Sequence, residues 1–179
     1  MTDGPLPIGA WLDTFRQSAD DLARLSLRFD PRPLPEEIDN GSPPGAYIAI
    51  LGEHDSVHLG LTASPGHCRA LARALLGLRH DDALSDKDVI DGVSEVMNIL
   101  AGKVKSHMTG RDGQLRLGLP MFIATPITPA GDMQHVSATV AIGPVSCELR
   151  VYRRPVAASG RAAAEAARGW EREGPRLDP

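Results

Sequence analysis

The chain is 179 residues long, 42% hydrophobic and 23% charged, a length and composition suited to one globular domain with its own core and a short tail. A formal net charge of −4 speaks against a nucleic acid or an acidic membrane surface as partner, and no apolar run reaches the length that spans a bilayer. The N-terminal MTDGPLPIGAWLDTF lacks a basic region followed by an apolar stretch, and Cys68 and Cys147 stand far apart in apolar company, so the expected setting is the cytoplasm with both thiols reduced and buried or half-buried.

Residues 11–27 place Trp11, Leu12, Phe15, Ala19, Leu22, Ala23 and Leu25 on one side of a helix. The following RFDPRPLPEEIDNGSPPG is too rich in proline and glycine for anything but loop or edge strand. AYIAILG (46–52) and VHLGLTAS (57–64) read as strands joined by the hairpin-length Glu53-His54-Asp55-Ser56. Ser64-Pro65 is an N-cap followed by proline at the first helical position, opening a helix over 67–78 that closes near Gly77. Ser85, with Asp88 three residues later, caps a further helix that runs through 86–108 and stops before Gly110. QLRLGL (114–119), HVSATVAIG (135–143) and CELRVYRR (147–154) are β-type runs, the last two linked by Gly143-Pro144. The domain is thus expected over 1–155. The Ala/Arg/Glu-rich 156–179 is read as a tail whose almost all-Ala apolar face could contribute little packing. Segregated runs of helices and strands predict an α+β fold, helices covering one face of a largely antiparallel sheet.

The helix over 86–108 carries the functional argument. At 100° per residue, Val89, Ile90, Val93, Val96, Met97, Leu100, Val104 and Met108 share an apolar face, while Asp91, Glu95, Asn98, Gly102 and Lys105 line the opposite side at spacings of three or four. A polar stripe is what any surface helix carries, and Glu95 or Lys105 alone means no more than solvated charge. Asn98 and Gly102 are different. Mid-helix, asparagine costs on the order of 0.6 kcal/mol and glycine about 1 kcal/mol relative to alanine. Both costs fall on the exposed face, one turn apart, where a helix that only covered a core would carry Ala, Lys or Gln.

The spacing Asp91-x3-Glu95-x2-Asn98-x21-Pro120 resembles the signature of the CheC/CheX/FliY family of response-regulator phosphatases. GVSEVMNILAGKVKSHM is similar to the active-site helix of the CheX group, LGLPMFI to its following strand, and TASPGHCRALARALLGL to the passage before the helix. The similarity extends more loosely over residues 10–154. A single Glu/Asn pair is present, as in CheX, whereas CheC proteins carry two. Lys103 stands where the family has Asn or Gln.

The resemblance implies a CheC/CheX-like fold and a phosphatase acting on a phosphorylated CheY-like receiver domain. Asn98 would position the attacking water, and Glu95, an ionised carboxylate, would engage the receiver's lysine. Asp91, Gly102 and Lys105 would serve partner binding, Gly102 because a glycine beside the reactive group suits a helix that must bring another molecule close to its own axis, and Pro120 would hold the neighbouring strand. No cofactor of its own is implied, since Mg²⁺ travels with the receiver. It further implies a homodimer formed by joining sheets, with 147–154 as a strand suited to an edge; Arg153 and Arg154 would equally protect a monomer's edge. Two other functions compete: a non-catalytic receiver-binding module and a component related to the flagellar switch. His54 and His58 flank a turn without a third metal ligand, and His67 beside Cys68 suits helix capping better than thiol activation.

Overall fold

The computed structural model describes residues 6–29, 43–52, 56–110, 114–125 and 127–154. The Glu53–Asp55 connection with His54, most of the proline-rich segment after the first helix, and the tail over 156–179 lie outside the described residues. The elements are α1 (Ile8–Leu25), β1 (Gly45–Leu51), β2 (Ser56–Thr62), α2 (Pro65–Leu76), α3 (Asp86–Met108), β3 (Arg116–Leu117), β4 (Met121–Ile123), β5 (Gln134–Ile142) and β6 (Val145–Arg153). They form the expected α+β arrangement. All strand pairings are antiparallel, in the order β3-β1-β2-β6-β5, with β4 also paired to β1.

Strand alternation builds the core. Ala46, Ile48 and Ile50 of β1, Val57, Leu59 and Leu61 of β2, and Val145, Cys147, Leu149 and Val151 of β6 turn one face inward, all buried. Upon this face α1 lays Trp11, Phe15, Ala19 and Leu22, and α3 lays Val93, Val96, Met97, Leu100 and Val104. With aromatics at only 4% of the chain, aliphatic side chains supply most of this core. α1 packs over β5 and β6, whereas α3 packs over β1, β3 and β4 and against both other helices.

The other sheet face is built differently. The register aligns Tyr47, Gly60, Arg150 and Ser137 in one row, and Ala49, His58, Tyr152 and His135 in the next. Tyr47 lies across Gly60, where a Cβ would fall 2.4 Å from its ring. Arg150 donates from Nε to Glu148 at 2.8 Å and from Nη1 to the Tyr152 hydroxyl. Burial, with Tyr152 nearby, pushes the Tyr47 hydroxyl up to about 12.

His58 sits on this face, and desolvation together with Arg154 holds its pKa below the ordinary value of 6.5. A depressed histidine takes up its proton less readily folded than unfolded, so stability falls as pH drops below about 6.5 until the folded pKa is passed. The thermal midpoint of the protein should decline over that window, and His58→Gln should flatten the decline. An unchanged profile in the variant would remove His58 from the account.

Local signals set most element ends. Ser64 accepts from the His67 backbone N–H at 3.3 Å, Pro65 opens α2, and Gly77 closes it in the left-handed conformation at φ 66°. Gly143-Pro144 forms the two-residue loop between β5 and β6. Gly143 takes φ 59°, and a Cβ there would also strike the Phe29 ring at 2.4 Å.

Two expectations are corrected. The predicted strand over 114–119 is only Arg116–Leu117; the chain leaves β1 around Pro120 and pairs again as β4, which the sequence reading did not separate. Gly118 donates to Ala49 O at 2.8 Å, but Pro120 has no N–H to continue the ladder. The run over 147–154 is not an edge. It forms most of β6, between β2 and β5, and the long free edge belongs to β5.

Gly92 marks where α3 meets α2. A Cβ at this position would stand 2.7 Å from Ala72 Cβ and 3.0 Å from its Cα, neither of which can swing aside without moving a helix. Gly92→Ala gains about 1 kcal/mol of helix propensity but overpacks the contact, so a net destabilisation of about 1–2 kcal/mol is expected by denaturant titration. A stabilised variant would show that the two helices are free to separate.

Candidate functional site

The site is the solvent side of α3. Its start is fixed by a capping box: Ser85 Oγ accepts from the Asp88 N–H at 3.2 Å, and the Asp88 carboxylate accepts from the Ser85 N–H at 2.9 Å. The Ser85 hydroxyl, which donates to the Asp88 carboxylate at 2.6 Å, and the Ser85 N–H together hold the Asp88 pKa below the usual carboxylate range. Asp86 adds an ion pair to Arg69 of α2. Asp86 and Asp88 in the first turn, and Lys105 and His107 in the last, complement the helix dipole. Nine buried residues, Val89, Gly92, Val93, Val96, Met97, Leu100, Ala101, Val104 and Met108, anchor the opposite face, so the stripe is presented by a rigid element.

The structure brings the expected residues together on that stripe. Glu95 is exposed and Asn98 half-buried. About 4.5 Å of helix rise separates them, and Asn98 Nδ2 donates to Glu95 Oε2 at 3.4 Å. The amide oxygen of Asn98 is left able to accept a further hydrogen bond. Asp91 is ion-paired with Lys87 one turn earlier, and the carboxylate raises the lysine's pKa. Glu95 has no ion-pair partner among the described residues, so it is the carboxylate of the stripe left for an incoming cation. Gly102 and Lys105 follow, both half-exposed.

Pro120 does not belong to the stripe; it marks the break between β3 and β4 at the sheet margin that supports α3. Leu119 and Met121 beside it are 86% and 62% exposed. The β-type pattern over 114–119 puts Leu119 inside a strand and gives neither residue a role. The signal that could have separated them was the Gly118–Pro120 spacing, which breaks a ladder wherever it falls in a strand.

The other candidates resolve as packing. Cys68 and Cys147 are both buried, and burial, with Cys68 nearby, pushes the Cys147 thiol up to about 12, the opposite of an activated thiolate. The backbone of His67 serves the cap of α2. Among the described residues no helix is long and apolar enough to cross a membrane.

The model of the family described as chemotaxis phosphatase CheX matches residues 44–147, a span that contains β1 to α3 and both members of the Glu95/Asn98 pair. No curated protein matches the chain. Among solved structures, the chain is similar in fold to the chemotaxis protein CheX from Desulfovibrio desulfuricans, with a TM-score of 0.63 and 15% identity over 80% of this chain and 99% of that one. It is likewise similar to CheX from Vibrio vulnificus, with a TM-score of 0.59 and 12% identity over 83% and 99%. A third similar structure is the CheX–CheY–BeF3–Mg²⁺ complex from Borrelia burgdorferi, with a TM-score of 0.54 and 16% identity over 82% and 97%. With a family match across more than half its length and this fold around a capped, core-anchored helix, the chain belongs to the chemotaxis phosphatase CheX family.

Proposed function

We propose that this protein stimulates hydrolysis of the aspartyl phosphate on a CheY-type response regulator. The observation that carries the reading is the Glu95/Asn98 pair, one turn apart on the exposed face of α3 and within reach of each other. Membership of the CheX family supports it, as does the similar fold of the Borrelia burgdorferi protein solved with CheY, BeF3 and Mg²⁺.

Phosphoryl transfer passes through a loose transition state, so catalysis is chiefly positioning and charge stabilisation. The receiver brings the aspartyl phosphate, its Mg²⁺ and its lysine. Asn98 enters this pocket and holds a water in line with the phosphorus–oxygen bond to the aspartyl carboxylate. Water oxygen bonds to phosphorus, the phosphorus–oxygen bond to the aspartyl carboxylate breaks, and inorganic phosphate leaves. An amide suits the task because it accepts from water through its oxygen and donates through its nitrogen while remaining neutral. Glu95 pairs with the receiver's lysine, which places the amide in register with the phosphorus. A substrate of this kind puts the protein in the cytoplasm, where receivers are phosphorylated.

The test is a panel of phosphorylated receiver domains from the same genome, each timed with and without the protein. Faster phosphate release from at least one receiver is the expected result. A panel in which none is accelerated overturns the proposal, and binding without acceleration leaves a receiver-binding module instead.

A further inference from the structure

Two glycines interrupt α3, and the fold accounts for only one. Gly92 is buried where α3 crosses α2, and a Cβ there would collide with Ala72. At Gly102 an added Cβ meets no heavy atom within 4 Å. Its backbone also lacks the positive φ that favours glycine, which among the described residues is found at Gly77 and Gly143. Among the described residues neither packing nor backbone conformation calls for glycine at 102, yet mid-helix glycine is worse than every residue but proline.

The missing side chain lies one turn beyond Asn98 on the same exposed stripe. One turn further, the Ser106 hydroxyl folds back onto the Gly102 carbonyl at 2.9 Å, which keeps that group close to the helix axis as well. Lys105 stands beside this low point with no ion-pair partner among the described residues, and a cation there suits the acidic pocket in which a receiver carries its phosphoaspartate.

We propose that Gly102 is the point of closest approach between α3 and the receiver: the partner's main chain crosses the helix there, and the absent side chain sets how deeply Asn98 enters the phosphorylation pocket. This inference rests on the phosphatase reading above. Gly102 is a positioning residue, acting through the depth of docking rather than on the phosphorus.

The test is the series Gly102→Ala and Gly102→Leu in the full chain, with thermal midpoint, affinity for the receiver loaded with beryllofluoride and Mg²⁺, and the kcat–KM split measured for each. Both variants should fold with midpoints at or above that of the parent, since the new side chain meets nothing and both residues favour helix. Affinity should fall in the order Gly, Ala, Leu, by about tenfold or more for Leu. KM should rise for both variants, and kcat should fall for Leu, which holds the amide away from the water. A merely structural glycine would show a lowered midpoint in both variants and leave affinity alone. If the parent accelerates release from a receiver and Gly102→Leu binds and turns over equally well, this inference fails while the phosphatase reading stands. If the parent accelerates none, both fall.

Discussion

Asn98→Ala should abolish stimulated dephosphorylation, with a loss of about 100-fold or more in the receiver's hydrolysis rate and no loss of fold. The magnitude is that of removing one preorganised hydrogen-bonding group from a water-excluded reacting centre. The stability change should have the opposite sign. Asn98 lies on the solvent side of α3 and its side chain donates to Glu95 at 3.4 Å, so alanine recovers about 0.6 kcal/mol of helix propensity. A variant with an equal or higher thermal midpoint and no activity therefore separates chemistry from structure. Glu95→Ala should weaken binding of the phosphorylated receiver as well as the rate, because it removes the charge proposed to face the receiver's lysine. An Asn98→Ala protein that turns over its cognate receiver at the parent rate would rule the mechanism out.

Leu100→Ala should do the reverse, damaging the fold and sparing the chemistry of each folded molecule. Leu100 lies two residues beyond Asn98 but is fully buried on the opposite side of α3. Truncating it removes transfer free energy and leaves a cavity that the flanking Met97, Val104 and sheet residues can only partly fill, a cost of about 2–5 kcal/mol. Since domains of this kind are stable by about 5–15 kcal/mol, this is a large fraction of the whole. The midpoint of denaturant unfolding should drop accordingly, with an unchanged slope. A loss below about 1 kcal/mol would show that α3 is not seated in the core, and the rigid presentation of Glu95 and Asn98 would lose its support.

These two residues show what α3 gives up and keeps. Its inner face is optimised for burial, its ends are capped, and its first and last turns match the dipole. On the outer face, at Asn98 and Gly102, it carries residues that weaken a helix, and among the described residues Asn98 makes one long hydrogen bond to Glu95 while a side chain at Gly102 would meet nothing. Gly92 on the inner face is accounted for by the contact with Ala72, whereas local inconsistency that packing does not account for, on one exposed face, is the pattern expected of a site rather than of a scaffold.

Much of this was legible in the sequence, and the reason is range. Helix periodicity, the Ser85/Asp88 box, the Ser64-Pro65 start, the Gly77 stop and the Gly143-Pro144 turn all act over a few residues, so the chain alone determined α2, α3, the closing hairpin and the stripe from Asp91 to Lys105. Tertiary structure decided whatever depended on a distant partner. Residues 147–154 have the same alternation whether at an edge or inside a sheet, and only the pairing of β6 with both β2 and β5 makes them interior. The run over 114–119 looks like one strand until β1 supplies the ladder that Pro120 cannot continue. The two glycines of α3 are indistinguishable by propensity, and the approach of Ala72 to one and open space at the other tell them apart. Short-range hydrogen bonding is written in neighbouring residues, whereas strand order and helix contact arise only when apolar faces far apart in the chain find one another.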